Sequence, residues 1–260
     1  MIKKVAVIGA GVIGTGWIIR FLAHNLKVVA YDKDIKLQKN IISELKRTWP
    51  YVKKLFNKKK LKIKNFKYVT SIEEALKDAD FIQECATENY KLKTNLMNII
   101  GKHAKQNAII SSSSSGLLPS RIYSRCINPS RTIIAHPFNP VYMIPGVELV
   151  PGKKTKKNTL SKANRFYKSI SMNPIILKKE LPGYLSDRLQ EALWREALHI
   201  VNEGYATTKD LDRAVEDGPG LRWSLMGTFL TFHLAGGKAG MKHMLEQFGP
   251  ALKLPWTKLK

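Results

Sequence analysis

Apolar and polar positions fall into blocks along the chain, and the period of those blocks changes near residue 181. Residues 3–8 (KKVAVI) form a short apolar run that ends at a glycine, the pattern of a strand buried on both faces. Residues 12–25 carry the spacing of the helix that follows, KVVAYD at 27–32 repeats the strand pattern, and Ile35 to Phe56 has helical spacing. SIEEALKDA at 71–79 opens with Ser71 and Glu74, the spacing of a capping box at a helix start. DFIQECA reads as a third strand, KLKTNLMNIIGKHA as a helix, and AIISSSSS as a fourth strand running into a polar turn. TIIAHPF, VELVPG and PIILKK supply further strands, with a helix over 159–171. Strands alternating with helices predict an α/β fold on a parallel, doubly wound sheet.

After LPG at 181–183 the strand pattern ceases, and from Tyr184 onward only amphipathic helices such as SDRLQEALWREALHIVNEG follow. The chain is therefore expected to divide into an α/β domain over 1–181 and an all-helical domain over 182–260. The serine run at 111–115 is entered from an apolar strand and followed by LLPSRIYSRC, so it reads as a strand end facing a cleft rather than as a linker.

Composition changes this picture little. The 260 residues suffice for a large core, and two cysteines, Cys85 and Cys126, give neither a disulfide framework nor metal spacing, which points to a reducing cytoplasm. MIKKVAVIGAGVIG superficially resembles a signal peptide, but its glycines suit a strand–turn–helix instead. No stretch reaches the roughly 20 apolar residues of a membrane span. The net charge of +24 is densest in KKLFNKKKLKIKNFK at 53–67 and KKTKK at 153–157. Lysine is otherwise spread throughout and no nucleic-acid module accompanies it, so the charge reads as solvated surface able to steer anions, with no nucleic-acid partner.

Chemistry enters at the first strand–helix junction. Gly9, Ala10, Gly11, Val12, Ile13 and Gly14 spell GxGxxG: the first glycine permits the tight turn, the second lets a pyrophosphate approach, and the third allows close helix–strand packing. Asp32, at the end of the second strand, is placed to accept hydrogen bonds from ribose hydroxyls and to repel a 2′-phosphate. The N-terminal domain is thus expected to be of the Rossmann type, with NAD as cofactor. Downstream, HPFNPVYMIPGVELV holds His136, a base that titrates near neutral pH, and Glu148, a carboxylate able to orient it. A secondary alcohol loses a hydride to nicotinamide only when a base takes its proton, so the pair predicts an alcohol dehydrogenase without a metal.

On VAVIGAGVIG, the YD pair, ATENYKLK, SSSSSGLLPS, HPFNP, VELV and LPGYLSDRLQEA, nearly the whole chain resembles the 3-hydroxyacyl-CoA dehydrogenase superfamily. That resemblance implies a catalytic dyad of His136 and Glu148, with Ser115 bonding the reacting oxygen. It implies that Glu88 and Lys93 lie in the cofactor cleft, that Asn139 lies near the carboxamide, and that the protein is a homodimer. SSGLLPS is similar to the branch that holds lambda-crystallin (an L-gulonate 3-dehydrogenase) and the carnitine dehydrogenases. EDGPGLRWSLMGTFLTFHLAGGKAGMKHMLEQFGPALKLPW is most similar to the latter. The similarity implies NAD-dependent oxidation of the 3-hydroxyl of L-carnitine to 3-dehydrocarnitine. The alternatives are an L-gulonate substrate, a 3-hydroxyacyl-CoA whose phosphates meet the lysines of 53–67, or a redox-inactive NAD-fold protein.

Two departures from the superfamily stand out. Asp187 in GYLSDRL replaces the asparagine of acyl-CoA members, and a carboxylate there suits a cationic substrate. The chain also stops after PWTKLK, short of the family's usual helical domain. A trimethylammonium group donates no hydrogen bond and is held against aromatic faces, each worth about 0.5–2 kcal/mol. Trp194, Trp223, Phe229 and Phe232 supply aromatic faces in the helical domain, with Trp223 or Phe232 the expected wall and Arg222 the expected partner of the substrate carboxylate.

Overall fold

The structure, a computed structural model, describes residues 2–58 and 60–250; the terminal PWTKLK lies outside them. In chain order β1 (Lys4–Ile8), α1 (Val12–Ala23), β2 (Lys27–Tyr31), α2 (Leu37–Leu55) and β3 (Phe66–Val69) are followed by α3 (Ile72–Leu76), β4 (Phe81–Glu84), α4 (Tyr90–His103) and β5 (Ile109–Ser112). Then come α5 (Pro119–Ile122), β6 (Thr132–Pro137), β7 (Gly146–Val150), α6 (Lys157–Ser169) and β8 (Asn173–Ile176). The last five helices are α7 (Ser186–Asn202), α8 (Thr208–Glu216), α9 (Pro219–Trp223), α10 (Thr228–Ala235) and α11 (Gly240–Phe248). Two compact units result, Met1–Asp187 and Arg188–Lys260.

Among the described residues the strands form one eight-stranded sheet in the order β3-β2-β1-β4-β5-β6-β7-β8. β1 pairs in parallel with β2 on one side and β4 on the other, so the strand order reverses at β1. Doubly wound sheets bind ligands in the crevice at such a reversal, outside the carboxyl ends of the strands. Two features depart from the sequence reading. β3 was not expected: FKYV closes the lysine-rich stretch and pairs with β2 at the sheet edge, where only one neighbour supports it. β7 runs antiparallel to β6, because the connection 138–145 is too short for the helical crossover that a parallel pair requires.

Alternation along β1 feeds two cores. Val5 and Val7 pack with Trp17, Phe21, Phe166 and Tyr167 on the α1–α6 side. Ala6 and Ile8 pack with Met97, Ile100, Ile122 and Tyr123 on the α4–α5 side. Ser71 caps α3 as expected, accepting from the Glu74 amide at 3.2 Å, but the Glu74 carboxylate turns to Lys67 at 2.5 Å instead of closing the box.

A buried cation braces the first core. Arg20 on α1 is fully enclosed and donates to the carbonyl oxygens of Val141 (2.7 Å), Ile144 (3.1 Å), Ile170 (3.1 Å) and Ser171 (3.0 Å). No carboxylate joins it among the described residues, and burial pulls its pKa down to about 10, so it stays charged at neutral pH. The four carbonyls belong to the β6–β7 connection and the end of α6, and α1 thereby fixes the loop beyond the β6 strand end.

The second unit is different in character. Among its described residues only Ala197, Thr231, Gly236 and Gly240 are buried, while Trp194, Leu225 and Phe229 stand exposed, the last two at 84%.

Arg20→Met keeps much of the volume but leaves two buried carbonyls, of Val141 and Ile170, and two partly buried ones, of Ile144 and Ser171, without their donor. At about 1–3 kcal/mol for each buried acceptor left unsatisfied, partly relieved by relaxation, the net loss is expected near 3 kcal/mol. For a unit of this size that is a fall in Tm of roughly 6–12 °C. Differential scanning calorimetry checks this, and a shift under about 2 °C contradicts it.

Candidate active site

The turn after β1 has the geometry that an anion requires. Gly9 adopts φ +99° and its amide bonds the Tyr31 carbonyl at 2.9 Å; a Cβ there would meet the Cys85 carbonyl at 2.8 Å. A Cβ on Gly14 would lie 2.0 Å from the Gly9 carbonyl oxygen, whereas one on Gly11 would meet nothing within 4 Å. That open approach lies at the N-terminus of α1, whose first turn has no side-chain cap and no acidic residue. Ala10, Val12 and Ile13 complete the turn, with Val12 exposed. Asp32 accepts from the Ala10 amide at 2.9 Å and the Asp34 amide at 3.2 Å, which brings the carboxylate to the glycine turn. Free amides for a pyrophosphate, a side-chain-free approach and an adjacent carboxylate for a ribose fit a dinucleotide.

The serine run divides between two faces of β5. Ser111 bonds Tyr167 Oη at 2.9 Å, and Ser113 accepts from Trp17 Nε1 at 3.0 Å and Gln83 Nε2 at 2.8 Å. On the other face Ser112 donates to Glu84, and Ser114 donates to Glu88 Oε1 at 2.5 Å. Glu84 is fully buried and holds Lys93 Nζ at 2.9 and 3.1 Å; Lys93, 1% exposed, also donates to the Ala86 carbonyl at 2.9 Å and lies 3.4 Å from Glu88 Oε2. Glu84 and Ser112 were missed by the sequence reading, although each ends an apolar strand that closes on two polar residues, FIQE and IISS.

The antiparallel register sets His136 directly opposite Glu148. His136 Nδ1 and Glu148 Oε2 are 2.8 Å apart, and both side chains are buried. Glu148 Oε1 accepts the amides of Leu185 and Ser186 at 3.0 Å each, where α7 begins. Burial pushes the Glu148 carboxyl up, but the bonds from His136 and the two amides outweigh it and hold the group below the usual carboxylate range. An ionised Glu148 fixes the proton on Nδ1 and leaves Nε2 as the basic nitrogen. Asp187 Oδ1 stands 3.9 Å from Nε2, its own carboxyl raised by burial and by the charges of Glu148 and Glu88 despite the lowering influence of His136. Phe138 and Tyr184 flank the imidazole at 5.4 and 5.8 Å between ring centroids.

The structure thus groups the glycine turn with Asp32, Glu88 with Lys93 and the Ser115 amide, and His136 with Glu148 and Asp187. Asn139 is exposed just beyond β6. Arg222 and Trp223 end α9 and Phe232 lies on α10; with Trp194 and Phe229 these aromatics are exposed and form no core of the second unit. Among the described residues no group of three His, Cys, Asp or Glu side chains is arranged to hold a metal ion, and no helix is long and apolar enough to cross a membrane.

Comparisons with known proteins bear on this site. Residues 4–181 match the family described as 3-hydroxyacyl-CoA dehydrogenase, NAD binding domain, and residues 183–258 match the corresponding C-terminal domain. The L-carnitine dehydrogenase of Oceanobacillus iheyensis is 52% identical over 258 residues, 99% of this chain and 84% of that protein. The L-carnitine dehydrogenase of Staphylococcus epidermidis is 48% identical over 256 residues, 98% of this chain and 80% of the relative. Among solved structures, an NAD+-dependent dismutase, FHMPC 5-dehydrogenase, aligns with a TM-score of 0.88 at 27% identity, over 100% of this chain and 84% of the other. The (S)-3-hydroxybutyryl-CoA dehydrogenase of Ralstonia eutropha aligns with a TM-score of 0.77 at 25% identity, over 96% of this chain and 86% of the other.

The Glu148 geometry has a pH signature. Its folded carboxyl is more acidic than the unfolded one (about 4.3), so the stability it contributes is complete above that value and is lost as pH falls through the folded one. Glu148→Gln is expected to be less stable than the wild type at neutral pH, with the gap closing below about pH 4. Urea denaturation of both proteins across that range checks this; a gap that widens in acid contradicts it.

Proposed function

The chain belongs to the 3-hydroxyacyl-CoA dehydrogenase family, and we propose that within it the protein oxidises the 3-hydroxyl of L-carnitine to 3-dehydrocarnitine. It is an NAD-dependent oxidoreductase acting on a CH–OH group. The observation that carries the substrate assignment is identity near one half with L-carnitine dehydrogenases of separate bacteria, over essentially the whole chain. Asp187 beside His136 supports it chemically, since a carboxylate at the reacting end favours a substrate with a quaternary ammonium one methylene from its alcohol carbon.

The chain's own residues divide the work. Gly9 to Gly14 and Asp32 hold the cofactor, and Asn139 is assigned to its carboxamide. Bound NAD supplies the acceptor for the hydride that leaves C3. His136 Nε2 takes the hydroxyl proton while Nδ1 remains bonded to Glu148, whose negative charge stabilises the imidazolium that forms. Ser115, whose hydroxyl bonds no other group among the described residues, donates to the reacting oxygen. We assign the NAD-binding domain to 1–181, the helical domain to 182–260, and the protein to the cytoplasm, where Cys85 and Cys126 stay reduced.

One assay tests the reading: NADH absorbance with L-carnitine, the isostere bearing a tert-butyl group in place of trimethylammonium, L-gulonate and 3-hydroxybutyryl-CoA. Carnitine is expected to be fastest, with the neutral isostere lower in kcat/KM by about 1–3 kcal/mol, the worth of two or three contacts to the cation. His136→Ala is expected to lower kcat roughly 10²–10⁴-fold. Equal rates with the neutral isostere, or preference for the thioester, overturn the carnitine assignment; near-normal turnover of the alanine variant overturns the base.

A homodimer is proposed as well, because helices that leave Trp194, Leu225 and Phe229 exposed present the kind of apolar surface that marks an interface. Sedimentation velocity is expected to show a species of twice the chain mass, and Phe229→Asp to shift it toward the monomer.

A further inference from the structure

We propose that Glu88 is a positioning residue for Ser115: its carboxylate, braced by the buried Lys93–Glu84 pair, shapes the turn that presents the Ser115 hydroxyl to the reacting oxygen. The proposal rests on the role given to Ser115 above.

Ser115 lies beyond the end of β5. The ladder with β6 reaches only Ser112 opposite Ile134, so strand pairing does not fix the turn that follows. The Ser114 amide reaches Ser112 Oγ at 3.2 Å and the Gly116 carbonyl accepts from the Gly183 amide at 3.2 Å, but most of the turn's bonds gather on one oxygen atom. Glu88 Oε1 accepts from the Ser114 hydroxyl at 2.5 Å, the Ser115 amide at 3.0 Å and the Gly116 amide at 3.3 Å. Three consecutive residues converge on it, which dictates where the Ser115 side chain departs from the backbone.

The carboxylate is itself held. Its second oxygen lies 3.4 Å from Lys93 Nζ, and that ammonium is enclosed by both oxygens of Glu84 and by the Ala86 carbonyl. Glu84 in turn accepts from the Ala86 amide at 2.6 Å and from the Ser112 hydroxyl. The loop after β4 and the turn after β5 are therefore clamped by one chain of charge-assisted bonds, the stronger kind of hydrogen bond. Glu88 is partly exposed, its side chain at 37%, but it is not the cap of α4: that is Asn89, which accepts from the Leu92 amide at 3.0 Å, while the Glu88 carboxylate faces the serine turn. Lys93, almost wholly buried with its donors engaged, serves as counter-ion to the two carboxylates.

A double-mutant cycle in the intact protein separates the possibilities, reading kcat, KM and the NAD dissociation constant from quenching of protein fluorescence. Glu88→Ala is expected to lower kcat, read at saturating NAD, about 10–100-fold, whatever NAD affinity its place in the cofactor cleft costs. Glu88→Gln, which keeps an acceptor oxygen for the three donors, is expected to recover at least about a third of kcat. In a Ser115→Ala background, removing Glu88 is expected to change kcat by no more than about twofold, because the group it positions is gone. Multiplicative losses in the double variant overturn the proposal, as does a Glu88→Ala defect confined to NAD affinity. A Ser115→Ala variant with full kcat instead removes Ser115 from the reaction, which is a separate failure. Where the alanine variant does not fold, Glu88→Asp takes its place with the same expectations.

Discussion

The hydrogen bond between His136 Nδ1 and Glu148 Oε2 joins three parts of the first unit that the chain reaches at different times. It crosses the antiparallel β6–β7 pair at 2.8 Å, and the same carboxylate collects the two amides where α7 begins. The register does most of the positioning, since residues opposite each other in an antiparallel pair place their side chains on the same face. A slip of one residue would send the imidazole and the carboxylate to opposite faces. The bond therefore depends on a correctly paired hairpin, and the hairpin depends on its loop. Arg20 holds that loop from beneath by the Val141 and Ile144 carbonyls, so a buried cation on α1 contributes to the geometry of a base on β6.

Charge is distributed unevenly in a way that suits the proposed chemistry. The chain carries a net +24, yet Glu84, Glu88, Glu148 and Asp187 gather at the carboxyl ends of the strands with Lys93 as the ammonium among them. Asp187 registers this crowding directly: burial and the fields of Glu148 and Glu88 raise its carboxyl, and only His136 opposes them. A site with surplus negative charge stabilises an imidazolium as it forms and favours a cation beside it. Acyl-CoA substrates, which are polyanions, gain nothing from that field.

Much of this was legible in the chain itself. The glycine turn announced itself because each glycine answers a separate steric demand, and Asp32 because strand length fixes where β2 ends. His136 and Glu148 were recognisable as a pair, but the antiparallel direction that makes them face each other was not: VELVPG reads the same in either direction, and only the short 138–145 connection decides. β3 was lost in the lysines around it, where a four-residue edge strand leaves little periodicity to see. The burial of Arg20 leaves no mark in the sequence, since its four carbonyl partners lie more than a hundred residues away. The exposed aromatics of the second unit showed a different limit, for helical spacing reveals an apolar face without revealing what covers it.

The placement of polar residues within the strands shows how the fold keeps a reactive edge open without weakening its core. β4 reads Phe81, Ile82, Gln83, Glu84 and β5 reads Ile109, Ile110, Ser111, Ser112, and the register pairs Gln83 with Ser111 and Glu84 with Ser112. Both strands thus change from apolar to polar at the same level. Below that level the sheet is filled by aliphatic and aromatic side chains; above it every buried polar group named here has a partner, which is the condition for burying it at tolerable cost. Had only one strand changed, its carboxylate or hydroxyl would have faced aliphatic neighbours with no bond to make. The matched change lets Glu84, Ser112 and Lys93 satisfy one another inside the protein, and beyond it the loop after β4 and the turn after β5 bring Glu88 and the Ser115 amide together.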